Sequence, residues 1–335
     1  MHKIKLYNNL PVIILGSVLT LLPTYILRSD LSILSFFYNH FSTYFGDLWY
    51  CWNNYLSQGF PYPREYPAGI QLLFRLLFYT PGIGVNYHLY IICICSILGI
   101  TAIGSSYLLY QQLPPAHKIR MWMLWLLAPS YLFYGLYNLD LLAILTILLG
   151  YTFFLKGKLS ACGIFLAIGT AIKVFPIFLL PALFLASPKQ HRKNLITAFI
   201  LTWLLFNLPF MLTNFHEWFF PYQWQTQENY ARTIHDGSWT WIVYQLLQHF
   251  GIGYLSSKLS LILFALGYIY FIYRCSNLAL TRKLVGIIIL FLLTDRIYSP
   301  QYNLYLLPFL VLVDYRVNWR YFYLLEIPNL LQGFF

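Results

Sequence analysis

Charged residues are scarce in this sequence. They make up 9% of the 335 residues, whereas a soluble domain usually carries about 25%. A surface with so little charge would not stay in water, so the composition excludes an ordinary soluble globular protein. Hydrophobic residues make up 59% of the chain, and no break in composition divides it. We therefore expect one all-α integral membrane domain covering residues 1–335, with the lipid bilayer as its solvent.

Sequence patterns for several kinds of site are missing as well. The five cysteines form no CxxC pair and no Cys/His spacing, so neither a disulfide framework nor a zinc site is expected. The sequence contains no Walker loop, no Ser-His-Asp order and no βαβ pattern, which excludes the common nucleotide-phosphate sites. The net charge of +11 comes from small basic clusters between apolar runs. Such clusters orient a membrane protein, and nucleic acid is not an expected partner.

Apolar runs follow one another along the chain, and a helix needs about 20 apolar residues to cross a bilayer. They predict about ten crossings, over residues 10–27, 87–109, 119–136, 138–155, 159–172, 174–187, 195–213, 256–273, 284–294 and 299–314. The stretches 67–80, 238–252 and 321–335 are short or amphipathic, and we expect interfacial or re-entrant segments there. The first run lacks a cleavage site of small residues, so we interpret it as a retained helix and not as a signal peptide.

The distribution of charge predicts the orientation. With the N-terminus in the cytoplasm, 14 of the 21 basic residues lie inside, as the positive-inside rule requires. Eight of the ten acidic residues then lie on or near the outer face, and only Asp314 and Glu326 lie inside. The two long polar segments, 28–66 and 214–240, are also external. Long polar loops more often carry function than merely connect helices, so we expect the functional site on the outer face.

Asp47 is the most informative residue of the first external loop. It stands in the run Tyr44-Phe45-Gly46-Asp47-Leu48-Trp49-Tyr50, where aromatic rings flank a lone carboxylate. Such a group suits a general base that takes a proton from a sugar hydroxyl, and aromatic rings suit the apolar faces of sugars. The structural alternative is that Asp47 caps an interfacial helix running through Asn53.

Two charged residues flank the apolar helices that follow. Asp140, in Asn138-Leu139-Asp140, is expected at the outer end of a helix, where it either faces a site or simply complements the helix dipole. Lys173 interrupts a long apolar stretch in Ala171-Ile172-Lys173-Val174. Burying an ionisable group in a membrane is costly, which favours a function such as phosphate binding. The alternative for Lys173 is a side chain that extends to the interface.

Two later segments carry further candidates. The external stretch 225–241 contains Arg232, His235 and Asp236, and an arginine with a histidine suits a phosphate ester. A solvated loop explains the same residues equally well. Asp295 and Arg296 lie together between two apolar helices. They either face the same site or pair with each other at the interface.

Three segments, in this order, resemble a known family. The first is Gly46-Asp47 with Tyr50 and the Pro61-Tyr62…Tyr66-Pro67 element. The second runs from Asn138-Leu139-Asp140 through Lys156-Gly157-Lys158 to Lys173-Val174-Phe175-Pro176, and the third is Ser299-Pro300-Gln301-Tyr302. They resemble the polytopic GT-C glycosyltransferases, and among these glycosyltransferase family 87, the polyprenyl-phosphate-mannose-dependent α-mannosyltransferase type. The resemblance implies a GT-C-type bundle of about 10–12 transmembrane helices, with interfacial helices in the external loops.

The resemblance also implies an activity. The chain would move a hexose, expected to be mannose, from a polyprenyl-phosphate donor to a glycolipid or glycan acceptor, with inversion at the sugar. The reaction would take place on the outer face of a bacterial-type plasma membrane, with the lipid-linked sugar as co-substrate and no cofactor. A polytopic transporter or flippase is the main alternative, and a non-catalytic assembly subunit is another. Against transport, the polar residues gather at one face and not at the midplane.

By the same resemblance, the general base falls on Asp47. The candidates for binding the donor phosphate and sugar are Lys173, Arg232, His235, Arg296, Arg64, Glu65, Tyr66, Asp140, Asp236 and Gln301. The first loop reads Gly46-Asp47-Leu48 and so offers a single carboxylate where a doubled-acid motif would offer two. No metal ion is therefore expected at this loop.

Overall fold

The computed structural model describes residues 10–29, 46–226, 238–274, 277–313 and 317–332, and helices make up most of that part of the chain. No β-strand lies within those ranges. The all-α membrane class predicted from composition is confirmed. An apolar chain in lipid has no water to pair with its backbone, so the peptide groups must pair within each segment, and helices do that.

The helices of the first half begin with α1 (Leu10–Ser29), α2 (Asp47–Asn54), α3 (Ala68–Tyr79) and α4 (Tyr87–Gln112). A helical turn, Ile119–Met121, continues as a π-helix, Trp122–Leu126, and is followed by α5 (Pro129–Tyr134), α6 (Asp140–Leu155) and α7 (Leu159–Ile172). A 3₁₀ segment, Phe175–Leu179, leads into α8 (Leu180–Ala186).

The second half begins with α9 (Arg192–Thr213), α10 (Phe215–Thr226), α11 (Trp239–Gln248), α12 (Ser256–Tyr273) and α13 (Leu280–Thr294). A 3₁₀ segment, Pro300–Tyr305, then precedes α14 (Leu307–Leu312) and α15 (Trp319–Gln332). Within the described ranges, three helical segments are long and apolar enough to cross a membrane: Tyr87–Gln112, Lys189–Thr213 and Gly253–Tyr273. The total of about ten crossings stays a prediction.

One predicted span is broken by proline. The expected span 119–136 is interrupted at Ala128, which is extended because Pro129 follows it and disfavours the helical backbone at the preceding residue. Two other helices end where the predicted spans end: α7 at Ile172 and α13 at Thr294. The next residues, Lys173 and Asp295, are extended, and these two breaks carry polar residues into the bundle.

Helices α6 and α7 form a hairpin that packs against α9. Because α6 begins at Asp140 and α7 ends at Ile172, the polar groups of Asp140 and Lys173 share one end of this hairpin. The basic turn Lys156-Gly157-Lys158 lies at the other end. The hairpin therefore separates the basic turn from the residues that the sequence marks as functional.

The short helices α2 and α3 are fastened to the same end of the bundle as Lys173. The hydroxyl of Tyr90, on α4, donates to the backbone oxygen of Leu48 on α2, at 2.9 Å. Helix α3 runs against the end of α7 so closely that a Cβ on Gly69 would lie 2.7 Å from the backbone oxygen of Ala171. Only glycine permits that approach, which brings the residues just before α3 next to Lys173.

The C-terminal helix α15 packs against α5 and the segment Pro300–Tyr305. Glu326 is enclosed in the bundle with 3% exposure. Its carboxylate accepts hydrogen bonds from the backbone N–H of Ser130 at 2.9 Å and from Asn303 Nδ2 at 3.1 Å. Its expected position on the inner side of the membrane stays a prediction. Asp314 lies outside the described residues.

Candidate active site

A cavity of about 640 Å³ opens between α2, the segment before α3, the end of α7 and helices α10, α12 and α13. The segment Pro300–Tyr305 closes another side of it. Its charged and amide side chains are those of Asp47, Glu65, Lys173, Asp295, Arg296 and Gln301. The structure thus gathers, from distant parts of the sequence, most of the described residues predicted to form a site.

Asp47 is the first residue of α2 and lines this cavity. A helix does run through Asn53, but the residue at its cap position is Gly46 and not Asp47. Gly46 has a φ of +49°, and a Cβ there would lie 2.1 Å from the Tyr137 ring. Glycine is therefore required in front of Asp47 by both backbone conformation and space.

Tyr66 holds the carboxylate of Asp47 from one side. The two side chains form a hydrogen bond, in which the phenol donates to the carboxylate. Burial, together with the negative charge of Asp47, raises the pKa of Tyr66 well above its usual value, so the hydroxyl stays protonated and remains a donor. A carboxylate has about four lone-pair sites, so it can accept from Tyr66 and from a substrate hydroxyl at the same time.

Lys173 enters the cavity from the break between α7 and the following 3₁₀ segment. Its side chain is 18% exposed, and its Nζ lies 3.1 Å from Oδ1 of Asp140. The same ammonium lies 5.3 Å from the centre of the Tyr66 ring. Lys173 therefore stands between a buried carboxylate and the phenol that holds Asp47, with one side open to the cavity.

Asp140 lies beneath the cavity and does not line it. The residue is fully buried, and its Oδ2 accepts a hydrogen bond from Asn138 Nδ2 at 2.6 Å. Its Oδ1 accepts one from the hydroxyl of Tyr305 at 2.6 Å, in addition to the contact with Lys173. The carboxylate is thus engaged by protein donors, and its direct role is to hold Lys173 and not to touch a substrate.

The far end of α13 contributes Asp295 and Arg296. Both line the cavity, as does Gln301, and both Arg296 and Gln301 are 8% exposed. Oδ1 of Asp295 accepts a hydrogen bond from the backbone N–H of Ile297 at 3.1 Å, which stabilises the turn after the helix. The side chains of both members of the predicted charged pair therefore face the same space as Lys173.

Arg64 does not line the cavity. It forms two hydrogen bonds with Glu217, from Nε at 2.6 Å and from a terminal nitrogen at 2.5 Å, and lies 5.0 Å from the centre of the Phe220 ring. Its side chain is 47% exposed. Arg64 thus joins the segment between α2 and α3 to α10. The three remaining candidates, Arg232, His235 and Asp236, lie outside the described residues and stay predictions.

An aromatic wall forms much of the rest of the cavity; the sequence suggests an aromatic groove between helices but does not identify its residues. Its rings belong to Phe175, Phe178, Phe264, Phe291 and Tyr305. They contact one another, with 4.5 Å between the ring centres of Phe175 and Tyr305 and 4.9 Å between those of Phe178 and Phe264. Aromatic residues make up 20% of the chain. That abundance signals aromatic surfaces in general but does not say which rings share one cavity.

The carboxylates that line the cavity are those of Asp47, Glu65 and Asp295, and no histidine is among its described lining residues. Among the residues that the structure describes, no group of three or more His, Cys, Asp or Glu side chains is placed to hold a metal ion. Among the described residues that line the cavity, Lys173 and Arg296 carry positive charge. The arrangement can bind a phosphate by a lysine and an arginine, and can accept a proton through Asp47.

The sequence model of glycosyltransferase family 87 matches residues 65–294. The match includes Glu65, Tyr66, Asp140 and Lys173, begins after Asp47 and ends before Arg296. No curated protein and no solved structure matches the chain.

Proposed function

This chain belongs to glycosyltransferase family 87, and we propose that it transfers a hexose, expected to be mannose, from a polyprenyl-phosphate donor to a hydroxyl of a glycolipid or glycan. The family membership makes it a membrane glycosyltransferase and decides against the transporter and the assembly subunit. The observation that carries the finer proposal is that Asp47 and Lys173 line one cavity whose wall is largely aromatic.

Asp47 is the proposed general base. Its carboxylate takes the proton of the acceptor hydroxyl while that oxygen forms a bond to the anomeric carbon of the donor sugar. The bond between the anomeric carbon and the phosphate oxygen breaks, and polyprenyl phosphate leaves with the bonding electrons. A single displacement of this kind inverts the configuration at the sugar. It needs only one catalytic carboxylate, and the first loop supplies it.

Lys173 and Arg296 are the proposed partners of the donor phosphate. Negative charge grows on the leaving phosphate oxygen in the transition state, and fixed cations near it lower the barrier. The contact between Lys173 and Asp140 fixes the ammonium in place before the donor binds. A cation that is already positioned needs no reorganisation during the reaction, so its effect on the transition state is larger.

The aromatic wall is the proposed contact for the first isoprene units of the donor. Phe178, Phe264 and Phe291 present apolar rings to the cavity. A polyprenyl chain is apolar and branched, and packing it against such rings removes both surfaces from polar surroundings. The cavity then has an apolar part for the lipid and a polar part for the phosphate and sugar, as this donor requires.

The proposed position of the site is the outer face of a bacterial-type plasma membrane, with the N-terminus in the cytoplasm. The basic turn Lys156-Gly157-Lys158 lies at the opposite end of the α6–α7 hairpin from Lys173. Helix α6 has 16 residues, which is roughly 24 Å at about 1.5 Å per residue. Basic loops face the cytoplasm, so this geometry supports an external site.

The substitution Asp47→Asn tests the proposed function. In purified protein supplied with a labelled polyprenyl-phosphate hexose, we expect sugar transfer to fall by at least about a hundredfold, because a general base contributes about 10²–10⁴ to the rate. Donor binding and the thermal unfolding temperature should stay close to those of the wild type. Near-normal turnover in this variant would remove Asp47 from the mechanism.

A further inference from the structure

The cavity has an acidic side that the proposed donor site does not use. Asp47 and Tyr50 lie three residues apart on α2, so their side chains project from the same face of that helix. Both line the cavity, together with Glu65. The position of Glu65 decides what this side of the cavity can bind.

Glu65 lies beside two tyrosines, Tyr50 and Tyr55, and each phenol interacts with its carboxylate. Its Oε2 accepts a hydrogen bond from the hydroxyl of Tyr55, and the rings of Tyr55 and Tyr50 meet edge to face with 6.1 Å between their centres. Its Oε1 is enclosed and has no hydrogen-bond partner among the residues that the structure describes. A buried carboxylate oxygen without a donor is unfavourable, and a ligand hydroxyl would relieve that cost.

The electrostatic neighbours show which charged groups of the cavity lie near one another. Asp47 interacts with Lys173, and both Asp47 and Glu65 act on Tyr66. Asp47 and Glu65 therefore form a pair of carboxylates around Tyr66, with Asp47 near the cation of the donor site. A phosphate would be repelled from the pair of carboxylates, so the acidic side suits an uncharged ligand that donates hydrogen bonds.

Resting on the proposed function, we propose that Glu65 and Tyr50 form the acceptor subsite, and that the group bound there is an uncharged hexopyranoside. Asp47 receives the reacting hydroxyl, and Glu65 accepts a hydrogen bond from a neighbouring hydroxyl of the same ring. The Tyr50 ring lies against the apolar face of the sugar. Glu65 then contributes to the choice of acceptor, and the donor site begins on the other side of Asp47.

The test is the substitution Glu65→Gln, with Glu217→Gln as the matched control. Glu217 undergoes the same chemical change, but it pairs with Arg64 and does not line the cavity. Transfer from labelled polyprenyl-phosphate mannose is measured with methyl hexopyranosides of manno, gluco and galacto configuration as acceptors. Glu65→Gln should raise the acceptor KM by about tenfold, as expected for a weakened charged hydrogen bond, and leave the donor KM within about twofold.

Monodeoxy forms of the best methyl glycoside identify the hydroxyl involved. In the wild type, removing the hydroxyl that Glu65 binds should raise the acceptor KM by about tenfold. In Glu65→Gln the same removal should have little further effect, because the partner is already weakened. A rise in the donor KM instead, or equal effects of Glu65→Gln and Glu217→Gln, would assign Glu65 to another role and overturn the proposal.

Failure of the proposed function has a different signature. If the wild type transfers no sugar from the polyprenyl-phosphate donor, the activity proposal fails, and the subsite is judged by binding alone. Saturation-transfer NMR of the methyl glycosides then gives the answer. Signals that weaken in Glu65→Gln but not in Glu217→Gln support the subsite, and signals equal in the two variants overturn it.

Discussion

The ammonium of Lys173 lies 3.1 Å from Oδ1 of Asp140, and the two residues sit at the same end of a helical hairpin. Asp140 is fully buried, while Lys173 reaches into the cavity. The pair therefore links a carboxylate that no substrate can reach to a cation that a phosphate can reach. Tyr305 completes the arrangement by donating to the same carboxylate oxygen at 2.6 Å.

The first prediction concerns this pair. Asp140→Asn should destabilise the protein by about 3 kcal/mol, because it leaves the charge of Lys173 without its buried partner. The double variant Asp140→Asn with Lys173→Met should recover part of that loss, since neither charge then remains. Thermal unfolding of the two single variants and the double variant gives the coupling energy. Additive effects in this cycle would contradict a functional link between the two residues.

The second prediction compares the effects of substituting Lys173 and Arg64, because the sequence made both residues candidates for binding the donor. Lys173→Met should weaken binding of polyprenyl phosphate by about tenfold or more, through loss of a charge-assisted hydrogen bond. Arg64→Gln should change that affinity by less than about twofold and stability by less than about 1 kcal/mol, because its ion pair is largely exposed. Equal losses in both variants would place the phosphate nearer to Arg64 than the cavity indicates.

The third prediction concerns the glycine in front of Asp47. Gly59 is the matched control, because it also has a positive φ, at +81°, but a Cβ there would have no neighbour within 4 Å. Gly59→Ala should cost only the backbone strain, about 1 kcal/mol. Gly46→Ala should cost about 1–3 kcal/mol more through the clash with Tyr137 and should reduce transfer. Thermal unfolding and turnover of both variants check this, and similar values for the two would show that Tyr137 moves aside freely.

The fourth prediction tests the C-terminal helix. Glu326 accepts hydrogen bonds from Ser130 and Asn303, and Asn303 lies in the same 3₁₀ segment as Gln301 and Tyr305. Glu326→Ala should lower stability by about 2 kcal/mol or more, since it leaves buried donors without an acceptor. Transfer should fall too, because that segment forms one side of the cavity. Wild-type unfolding temperature together with wild-type turnover would contradict this role.

The fifth prediction concerns metal ions. We propose that Lys173 and Arg296 neutralise the donor phosphate, so transfer should persist when EDTA is present in excess over divalent cations. The measurement is the initial rate with and without EDTA, followed by addition of Mg²⁺ or Mn²⁺. A loss of rate that either cation restores would show that a metal shares the phosphate.

Much of the helical arrangement was predictable from the sequence. The runs 87–109, 138–155 and 159–172 correspond to α4, α6 and α7 within a few residues, because long apolar stretches in lipid can only form helices. The predicted spans also end at residues 172 and 294, where α7 and α13 end, because a charged residue follows each apolar run. The break at Ala128 inside the predicted span 119–136 was missed, although Pro129 marks it.

The site residues also differ in how far the sequence could predict them. Lys173 was recognisable because a lone charge in an apolar stretch is costly, and Asp47 because it stands among aromatic residues in a polar loop. No local feature of the sequence distinguished Glu65, which lines the cavity, from its neighbour Arg64, which pairs with Glu217 away from the cavity. The two residues lie in a turn, and only the packing of that turn decides which side chain faces the cavity.

Composition by itself determined that this chain is an α-helical membrane protein, because a chain with 9% charged residues cannot be solvated any other way. The spacing of its motifs indicated the family that the profile match confirms. Only the tertiary structure decided that Asp140 supports Lys173 from below, that Tyr66 holds Asp47, and that Glu65 lies on the acidic side of the cavity. Those relationships join residues from different helices and loops, and their distances follow from how the helices pack and not from any local preference of the chain.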